Sequence, residues 1–438
     1  MNNQNEIKNT PAIPRRVLSS LLSSISAGVV PRSGVHYIAI GRKDEISAFL
    51  SDLEEINEGG GAMRFLIGRY GSGKSFLIQL VRGYALERDF LTADCDLSPE
   101  RRLCGSGHGG IATYRELMKN LASKSSPDDE DTLYRELSRV IHRELDDLEY
   151  MVGGFDFARV LFEYYKASVS DGELANEKMS ACLRWFRGEF SNKTEAKRDL
   201  GFSVSAIIDD DNWYDFLKLW AVLSKKMGYR GLVVFIDECV NLYKIPHRIS
   251  RENNYEKILS MFNDTLQGRA PGLDIIFGGT PQFLEDTRRG IFSYEALRSR
   301  LCDSKFALDG FKNLIGPVIR LRRLSDDELF ALIQRVTTLY SQYYNWDCTV
   351  TNDDRIKFLN ICLSRAGADS MITPREMLRD YMTVLNILMQ NPDAKFDDVI
   401  GNHVTLKTDK EDDDDAIIPE ESDTKPEVKK YTANDIEF

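Results

Sequence analysis

The hydrophobic positions of this chain follow two spacings that alternate along the sequence. Short, largely apolar runs, as in strands buried on both faces, occur at 63–68, 231–238 and 272–280, and 89–97 is a plausible further strand. Elsewhere, apolar residues recur every three or four positions, as on the buried face of a helix. Strands alternating with helices predict an α/β fold built on a doubly wound parallel sheet.

Two stretches of the sequence are predicted to be mainly helical. One is an insertion at about 98–230, between the second and third strands. The other follows residue 324, where Ser325 and Glu328 have capping-box spacing and Thr373-Pro374 with Glu376 marks a further helix start. The predicted organisation is an N-terminal segment at 1–34, an α/β domain at 35–324, a helical lid at 325–400 and an acidic tail at 401–438.

A glycine-rich turn joins the first predicted strand to a helix. Gly68, Gly73, Lys74 and Ser75 satisfy the pattern G-x-x-x-x-G-K-[ST], the Walker A phosphate loop. In such a loop the main-chain amides surround the phosphates, the lysine reaches the β- and γ-phosphates, and the serine binds Mg2+. The residues predicted to bind the nucleotide are Gly68, Arg69, Tyr70, Gly71, Ser72, Gly73, Lys74, Ser75 and Phe76.

Polar residues follow the third and fourth predicted strands. Asp237 and Glu238 end the run LVVFIDE, where one carboxylate can bind Mg2+ and the other can activate water, although acids also end strands for no catalytic reason. Thr280 follows the fourth strand, where it can orient water or contact the γ-phosphate. Gln282 is the alternative for that role, and a simple turn before Pro281 is the alternative for Thr280.

Three arginines are candidates to stabilise charge on the phosphates. Arg298 and Arg300 follow the fourth strand by about 20 residues, where one of them can reach a neighbouring subunit's nucleotide or simply lie on a surface helix. Arg375, in the first turn of the helix that begins at Pro374, can act within its own subunit.

Other motifs are weaker. Gly105, Gly107 and Gly110 form a G-x-G-x-x-G, but no buried strand leads directly into it, so we predict a mobile loop with an exposed His108. The seven cysteines include no C-x-x-C pair, and the five histidines lack metal-site spacing. The cysteine usage suits a reducing cytoplasm.

Charge and hydropathy further limit the kind of protein that this sequence can encode. The net charge is −12, of which residues 405–438, with 12 acidic and 5 basic side chains, carry −7. This tail is predicted to be disordered and to act as a solubilising, partner-docking or DNA-mimicking segment. No stretch approaches 18 uncharged apolar residues, and the polar N-terminus does not resemble a signal peptide, so we expect a cytoplasmic protein with no membrane contact.

Together the motifs resemble the AAA+ class of P-loop ATPases. The segment AIGRKDEISAFLSDL is similar to the adenine-side entry of the origin-recognition and Cdc6-like clade. The resemblance implies ATP and Mg2+ as cofactors, Asp237 as the Mg2+ ligand and Glu238 as the general base. It further implies Gly41 and Arg42 near the base of the nucleotide, Thr280 as sensor 1, Arg300 as the arginine finger and Arg375 as sensor 2.

At a finer level the chain resembles the ATP-binding proteins of BREX phage-defence systems, the BrxC/BrxD group, in GRYGSGKSFL, FIDECVNLYK, IIFGGTPQFLEDTRRG and TPREMLRDY. This implies a homo-oligomeric ATPase that acts on double-stranded DNA beside a helicase, a methyltransferase and a phosphatase-like protein. Candidate DNA contacts are Arg288, Arg289 and a strand at 319–324. A nucleotide-gated scaffold with slow turnover, and a regulator of DNA ends or transposition targets, are the alternatives.

Overall fold

A five-stranded parallel sheet is the centre of the protein. The computed structural model describes residues 13–105, 107–127, 137, 146–302, 313–365 and 373–401. The strands are β1 (Ala62–Ile67), β2 (Leu91–Asp96), β3 (Leu232–Asp237), β4 (Leu273–Gly279) and β5 (Val318–Arg320). They lie in the order β2-β3-β4-β1-β5, and every pair is parallel. The predicted α/β fold class is therefore confirmed.

Strands β1 to β4 form at the four segments from which the sequence predicts strands. All residues of β1, β3 and β4 are buried, because helices cover both faces of the sheet. The strand expected at 319–324 is wrong in extent, since β5 ends at Arg320. The Leu321 N–H donates the last backbone hydrogen bond from this segment to β1. The chain then leaves the sheet at Arg322 and Arg323, whose side chains are exposed.

Helices account for most of the remaining described residues. In chain order the helices are α1 (Arg15–Ser26), α2 (Lys43–Asn57), α3 (Lys74–Glu87), α4 (Gly109–Lys119), α5 (Asp146–Glu149), α6 (Gly154–Ser168), α7 (Glu173–Phe186), α8 (Lys193–Leu200), α9 (Trp213–Lys226), α10 (Val240–Tyr243), α11 (Arg248–Leu266), α12 (Pro281–Glu285), α13 (Glu295–Leu301), α14 (Asp326–Tyr344), α15 (Asn352–Arg365), α16 (Pro374–Gln390) and α17 (Phe396–Ile400). No helix in the described ranges is long and apolar enough to cross a bilayer.

The helical insertion packs directly on one face of the sheet. Side chains of alternate strand residues, such as Phe65 and Val234, share a single hydrophobic core with Phe157, Trp185 and Trp220 of the insertion. Helices α2 and α3 cover the opposite face. Within the predicted helical insertion at 98–230, residues 106, 128–136 and 138–145 lie outside the described residues.

The helices of the predicted lid, α14 to α17, form a second hydrophobic core together with the N-terminal helix α1. Leu21 and Ile25 of α1 pack with Ile333 of α14 and with Met377 and Leu385 of α16. Both predicted capping boxes are present, one at Ser325 and Glu328 and one at Thr373 and Glu376. The acidic tail beyond residue 401 lies outside the described residues.

Candidate nucleotide site

The glycine-rich turn has the backbone that a phosphate loop requires. It connects β1 to α3 at the carboxyl edge of the sheet. Gly71 and Gly73 have φ values of 70° and 91°, in the left-handed region that only glycine adopts without strain. A side chain at Gly68 would place its Cβ 2.3 Å from Ser72 Oγ, so glycine at this position leaves room for the Ser72 side chain.

The Walker A serine contacts the acid at the end of β3. Ser75 Oγ donates a hydrogen bond of 2.8 Å to Asp237 Oδ2, although the two residues are 162 positions apart. Nearby, Lys74 Nζ makes a long contact of 3.5 Å with the Arg69 carbonyl oxygen. Burial lowers the pKa of Lys74, while Asp237 and Glu238 oppose that shift. The lysine, the serine and both acids therefore lie at one edge of the sheet.

Glu238 has an unusual backbone. Its φ is 57°, in the left-handed region, and its N–H donates to Asp237 Oδ1 at 2.8 Å. Partial burial of its carboxyl group raises the pKa, with a further contribution from Asp237, while Lys74 and Lys244 act in the opposite direction. A carboxyl group with a raised pKa and a cation beside it suits a base that works near neutral pH.

Gly278 is a site residue that sequence reasoning missed. A Cβ at this position of β4 would lie 2.2 Å from Asp237 Oδ1, so the close approach of the acid to β4 requires glycine. The next residue is also tightly enclosed, with a Cβ at Gly279 falling 2.4 Å from the Phe283 ring. The signal was available as two adjacent glycines in an otherwise bulky strand.

The residues at this edge fit a magnesium-bound triphosphate. Ser72 Oγ is buried and has no hydrogen-bond partner within the described ranges, so it can accept or donate a bond to a ligand. No group of three or more His, Cys, Asp or Glu residues is arranged to hold a metal in the described part of the chain. Mg2+ in nucleotide enzymes takes one or two protein ligands plus phosphate oxygens and water, which Ser75 and Asp237 can provide.

Thr280 directly follows β4, the strand that lies between β1 and β3. Its Oγ1 accepts a hydrogen bond of 3.3 Å from the Phe283 N–H, so the side chain caps helix α12. Gln282 is exposed. This capping contact is the one expected if Thr280 is a turn residue before Pro281. The role of Thr280 as a sensor of the γ-phosphate stays a prediction.

The three candidate arginines lie in different surroundings. Arg375 is exposed, makes no hydrogen bond or ion pair among the described residues, and contributes to lowering the pKa of Lys74. Arg298 lies 3.6 Å from Glu295, and Arg300 Nη1 donates to the Ala296 carbonyl oxygen at 2.6 Å. Both contacts are made within helix α13, on its exposed face.

Arg42 holds the phosphate loop from behind. Only 4% of this residue is exposed, and its guanidinium donates to the Ser72 carbonyl oxygen at 2.7 Å and to the Arg322 carbonyl oxygen at 2.9 Å. Glu45 lies 3.6 Å away. Arg42 therefore joins the loop to the segment that leads from β5 into the lid.

The phosphate loop also contacts the lid directly. A Cβ at Gly71 would lie 2.2 Å from Thr373 Cγ2, at the N-cap of α16, and a Cβ at Gly41 would lie 2.5 Å from the Glu328 carboxylate. Phe76 packs between the lid core and the sheet core. Arg69 and Tyr70, at the tip of the loop, are exposed.

Most of the candidate DNA-binding arginines have protein partners. Arg289 donates to the backbone carbonyls of Tyr243 and Ile245, and Arg320 and Arg322 pair with glutamates at 3.0 and 2.6 Å. Arg288 and Arg323 are exposed, without a side-chain hydrogen bond or ion pair in the residues that the structure describes.

The second glycine cluster does not offer a phosphate site. Helix α4 begins beside it, and Asp210 Oδ1 accepts hydrogen bonds from the N–H groups of Gly110 and Ile111 at 2.6 and 3.1 Å. A carboxylate thus occupies the helix end that a pyrophosphate would need. The His108 side chain is 85% exposed and lies 3.2 Å from Asp210, in keeping with the predicted exposure.

Comparison with known proteins gives one family. No curated protein matches the chain. A crystal structure of Cdc6p from Pyrobaculum aerophilum matches with 10% identity and a TM-score of 0.39, over 80% of this chain and 63% of that one, so this chain spans less than two thirds of that protein. The model of the family described as BREX system ATP-binding protein BrxC/D matches residues 13–130 and 124–404. The protein therefore belongs to the BrxC/D family of BREX ATP-binding proteins.

Proposed function

We propose that this protein hydrolyses ATP in a Mg2+-dependent reaction. The observation that carries the proposal is the 2.8 Å hydrogen bond between Ser75 Oγ and Asp237 Oδ2, because it joins the two motifs that must share one Mg2+ ion. When bound, Mg2+ would neutralise charge on the phosphate oxygens. Lys74 and the loop amides would hold the β- and γ-phosphates, and Glu238 would take a proton from the attacking water.

Phosphate release tests this proposal. The wild-type protein is expected to release phosphate from ATP with Mg2+ and to lose that activity in excess EDTA. Ser75→Ala should lower kcat/KM by about 10- to 100-fold, since Mg2+ loses a ligand. The control is Ser299→Ala, because that exposed hydroxyl bonds only its own helix. A wild-type protein that binds Mg-ATP and never releases phosphate contradicts the proposal.

We further infer that the protein acts on double-stranded DNA as part of an anti-phage complex. The family assignment and the exposed Arg288 and Arg323 support this. Duplex binding measured by fluorescence anisotropy should weaken as salt rises, and the Arg288→Ala/Arg323→Ala variant should lower the salt slope by about 2 if each residue contacts a phosphate. No duplex binding at low salt would remove this part of the proposal.

Oligomers and protein partners complete the proposed function. Light scattering of Glu238→Gln with ATP and duplex DNA is expected to show a homo-oligomer, in which Arg300 or Arg298 reaches the neighbouring site. A monomer under all conditions would contradict this. The partner classes are a helicase, a methyltransferase and a phosphatase-like protein, which a pull-down from a cell carrying the whole system can identify.

A nucleotide-gated scaffold is the second candidate function. It is favoured by three exposed apolar side chains in the insertion, Tyr150, Val152 and Phe155, which are 91%, 68% and 57% exposed. Phage restriction distinguishes the candidates, because Glu238→Gln abolishes protection by a hydrolysing enzyme and leaves protection by a scaffold intact.

A further inference from the structure

The left-handed backbone of Glu238 requires an explanation. Within the described ranges, the non-glycine residues with positive φ are Asp89, His108, Glu238 and Asn345. Of these, Glu238 follows the Mg2+-binding candidate Asp237 directly. A non-glycine residue keeps such a conformation only when its surroundings restrain it.

The neighbouring strands restrain both peptide groups beside Glu238. Its own N–H donates to Asp237 Oδ1 at 2.8 Å, and the Cys239 N–H donates to the Gly278 carbonyl oxygen at 3.0 Å. On the other side, the Leu97 N–H donates to the Asp237 carbonyl oxygen at 3.0 Å. Strands β2 and β4 therefore restrain the peptide groups on both sides of Glu238, including the Glu238 carbonyl, which shares one planar peptide group with the Cys239 N–H.

Asn241 binds that carbonyl. Its backbone N–H donates to the Glu238 carbonyl oxygen at 3.0 Å, and its side-chain Nδ2 donates to the same oxygen at 3.2 Å. Nδ2 also donates to the Leu97 carbonyl oxygen at 2.9 Å. One amide group thus bridges Glu238 to the residue that follows β2. Both acceptors are carbonyl oxygens, so a donor is required at this position.

We propose that Asn241 is a positioning residue for ATP hydrolysis, which holds Glu238 in its left-handed conformation by bridging the carbonyls of Glu238 and Leu97. The inference rests on the proposed hydrolysis, with Glu238 as base. The side-chain hydrogen bonds of Asn241 go to these two carbonyls. Its loss should therefore misplace the carboxylate of Glu238 and leave nucleotide binding intact.

Steady-state kinetics and nucleotide binding test the role of Asn241. Asn241→Asp keeps the shape of the side chain, removes the donor and places an oxygen against two carbonyl oxygens, and Asn241→Ala removes the bridge. Each is expected to lower kcat by about 10- to 100-fold, the effect of displacing a reacting group by about 1 Å. The Kd for a fluorescent ATP analogue with Mg2+ should change by less than about threefold, because binding and positioning are separate.

Asn212→Asp is the matched control. The Nδ2 of Asn212 also donates to a backbone carbonyl oxygen, that of Ile207 at 2.8 Å, but in the insertion. Its loss should lower thermal stability to a similar degree and leave kcat unchanged. If Asn241→Ala does not fold, the isosteric Asn241→Asp carries the test.

A double-variant cycle separates positioning from a general structural effect. If Asn241 acts through Glu238, then Asn241→Asp added to Glu238→Gln should cause no further loss of kcat. Additive losses, or an unchanged kcat in both single variants of Asn241, overturn the inference while the proposed hydrolysis stands. A wild-type protein without ATPase activity overturns both, and the wild-type assay alone identifies that case.

Discussion

Towards the amino ends of β1 and β4, Arg64 and Asp52 form a buried ion pair, with Nη2–Oδ1 at 2.6 Å and Nε–Oδ2 at 2.7 Å. Arg64 Nη1 also donates to the backbone carbonyls of Leu314 and Ile315. At the carboxyl edge of the same sheet, by contrast, Lys74 has a single described hydrogen bond, of 3.5 Å. The charges of Arg64 and Asp52 are paired within the protein, whereas Lys74 is left able to bind a ligand.

The acidic residues at the two edges of the sheet also have different surroundings. Asp274 of β4 is fully buried and neither carboxyl oxygen has a hydrogen-bond partner among the described residues, and burial raises its pKa well above the usual value. Glu238 instead lies beside Lys74, which opposes the rise that burial causes in the pKa of Glu238. A buried acid alone is therefore a poor guide to function, and what distinguishes the carboxyl edge is that a lysine, a serine and two acids from separate elements lie together there.

Removing the proposed base should have the largest effect. Glu238→Gln is expected to lower kcat by about 10³-fold, because the amide cannot accept a proton, while the Kd for Mg-ATP stays close to that of the wild type. Phosphate release and analogue binding check the two expectations. Glu173→Gln, at the start of α7, is the control and should be unchanged. Equal turnover by Glu238→Gln and wild type would assign the base elsewhere.

Filling the space beside Asp237 should come next. In Gly278→Ala the new Cβ would fall 2.2 Å from Asp237 Oδ1, so the acid must move and kcat should fall by about 10²-fold. Gly83→Ala, in helix α3, is the matched control, since no other atom lies within 4 Å of the position that its new Cβ would take. The control should raise the free energy of unfolding by about 1 kcal/mol and leave the rate unchanged. Full activity in Gly278→Ala would show that the position of Asp237 is not critical.

The opposite edge predicts a gain in stability. Asp274→Val replaces a buried acid without a described hydrogen-bond partner by a strand-forming apolar residue, and should raise the free energy of unfolding by about 1 to 3 kcal/mol. Asp156→Val should lower it by a similar amount, because Asp156 Oδ2 accepts hydrogen bonds of 2.9 Å from the N–H groups of Ser205 and Ala206. Urea unfolding measures both. Loss of stability in both variants would mean that Asp274 has a stabilising partner.

The effect of Asp274 should also depend on pH. Its pKa is raised chiefly by burial and also by Asp52 and Glu55, with Arg64 opposing. The folded protein therefore takes up this proton at a higher pH than the unfolded chain, so the group favours folding most below about pH 4 and progressively less as pH rises. The stability advantage of Asp274→Val over wild type should accordingly be larger at pH 8 than at pH 5. An advantage that shrinks as pH rises would contradict the raised pKa.

The sheet and the phosphate loop could be predicted because their signals are local. β1, β3 and β4 are short, largely apolar runs, and residues 68–75 have the glycine spacing of a phosphate loop. Asp237 was predictable from its place at the end of a strand. Parallel topology explains why Asp237 lies within hydrogen-bond distance of Ser75, since the carboxyl ends of parallel strands share one edge.

The long-range contacts around the site could not be predicted. Arg42 bonds carbonyls 30 and 280 positions away, and α1 packs on lid helices more than 300 positions further along the chain. No local pattern names such partners, because an amphipathic helix or a buried arginine specifies only that it needs one. The same holds for Gly278, whose role depends on an acid from the neighbouring strand.

Titration calorimetry of ATP with and without Mg2+, on wild type and on Lys74→Ala, tests the central claim that the carboxyl edge of the sheet holds a magnesium-bound triphosphate. We predict Mg2+-dependent binding by the wild type and a loss of at least about 100-fold in affinity for Lys74→Ala, with Lys193→Ala unchanged as the exposed control. Equal affinities for Lys74→Ala and wild type, or no heat of Mg-ATP binding by the folded wild-type protein, would contradict the claim.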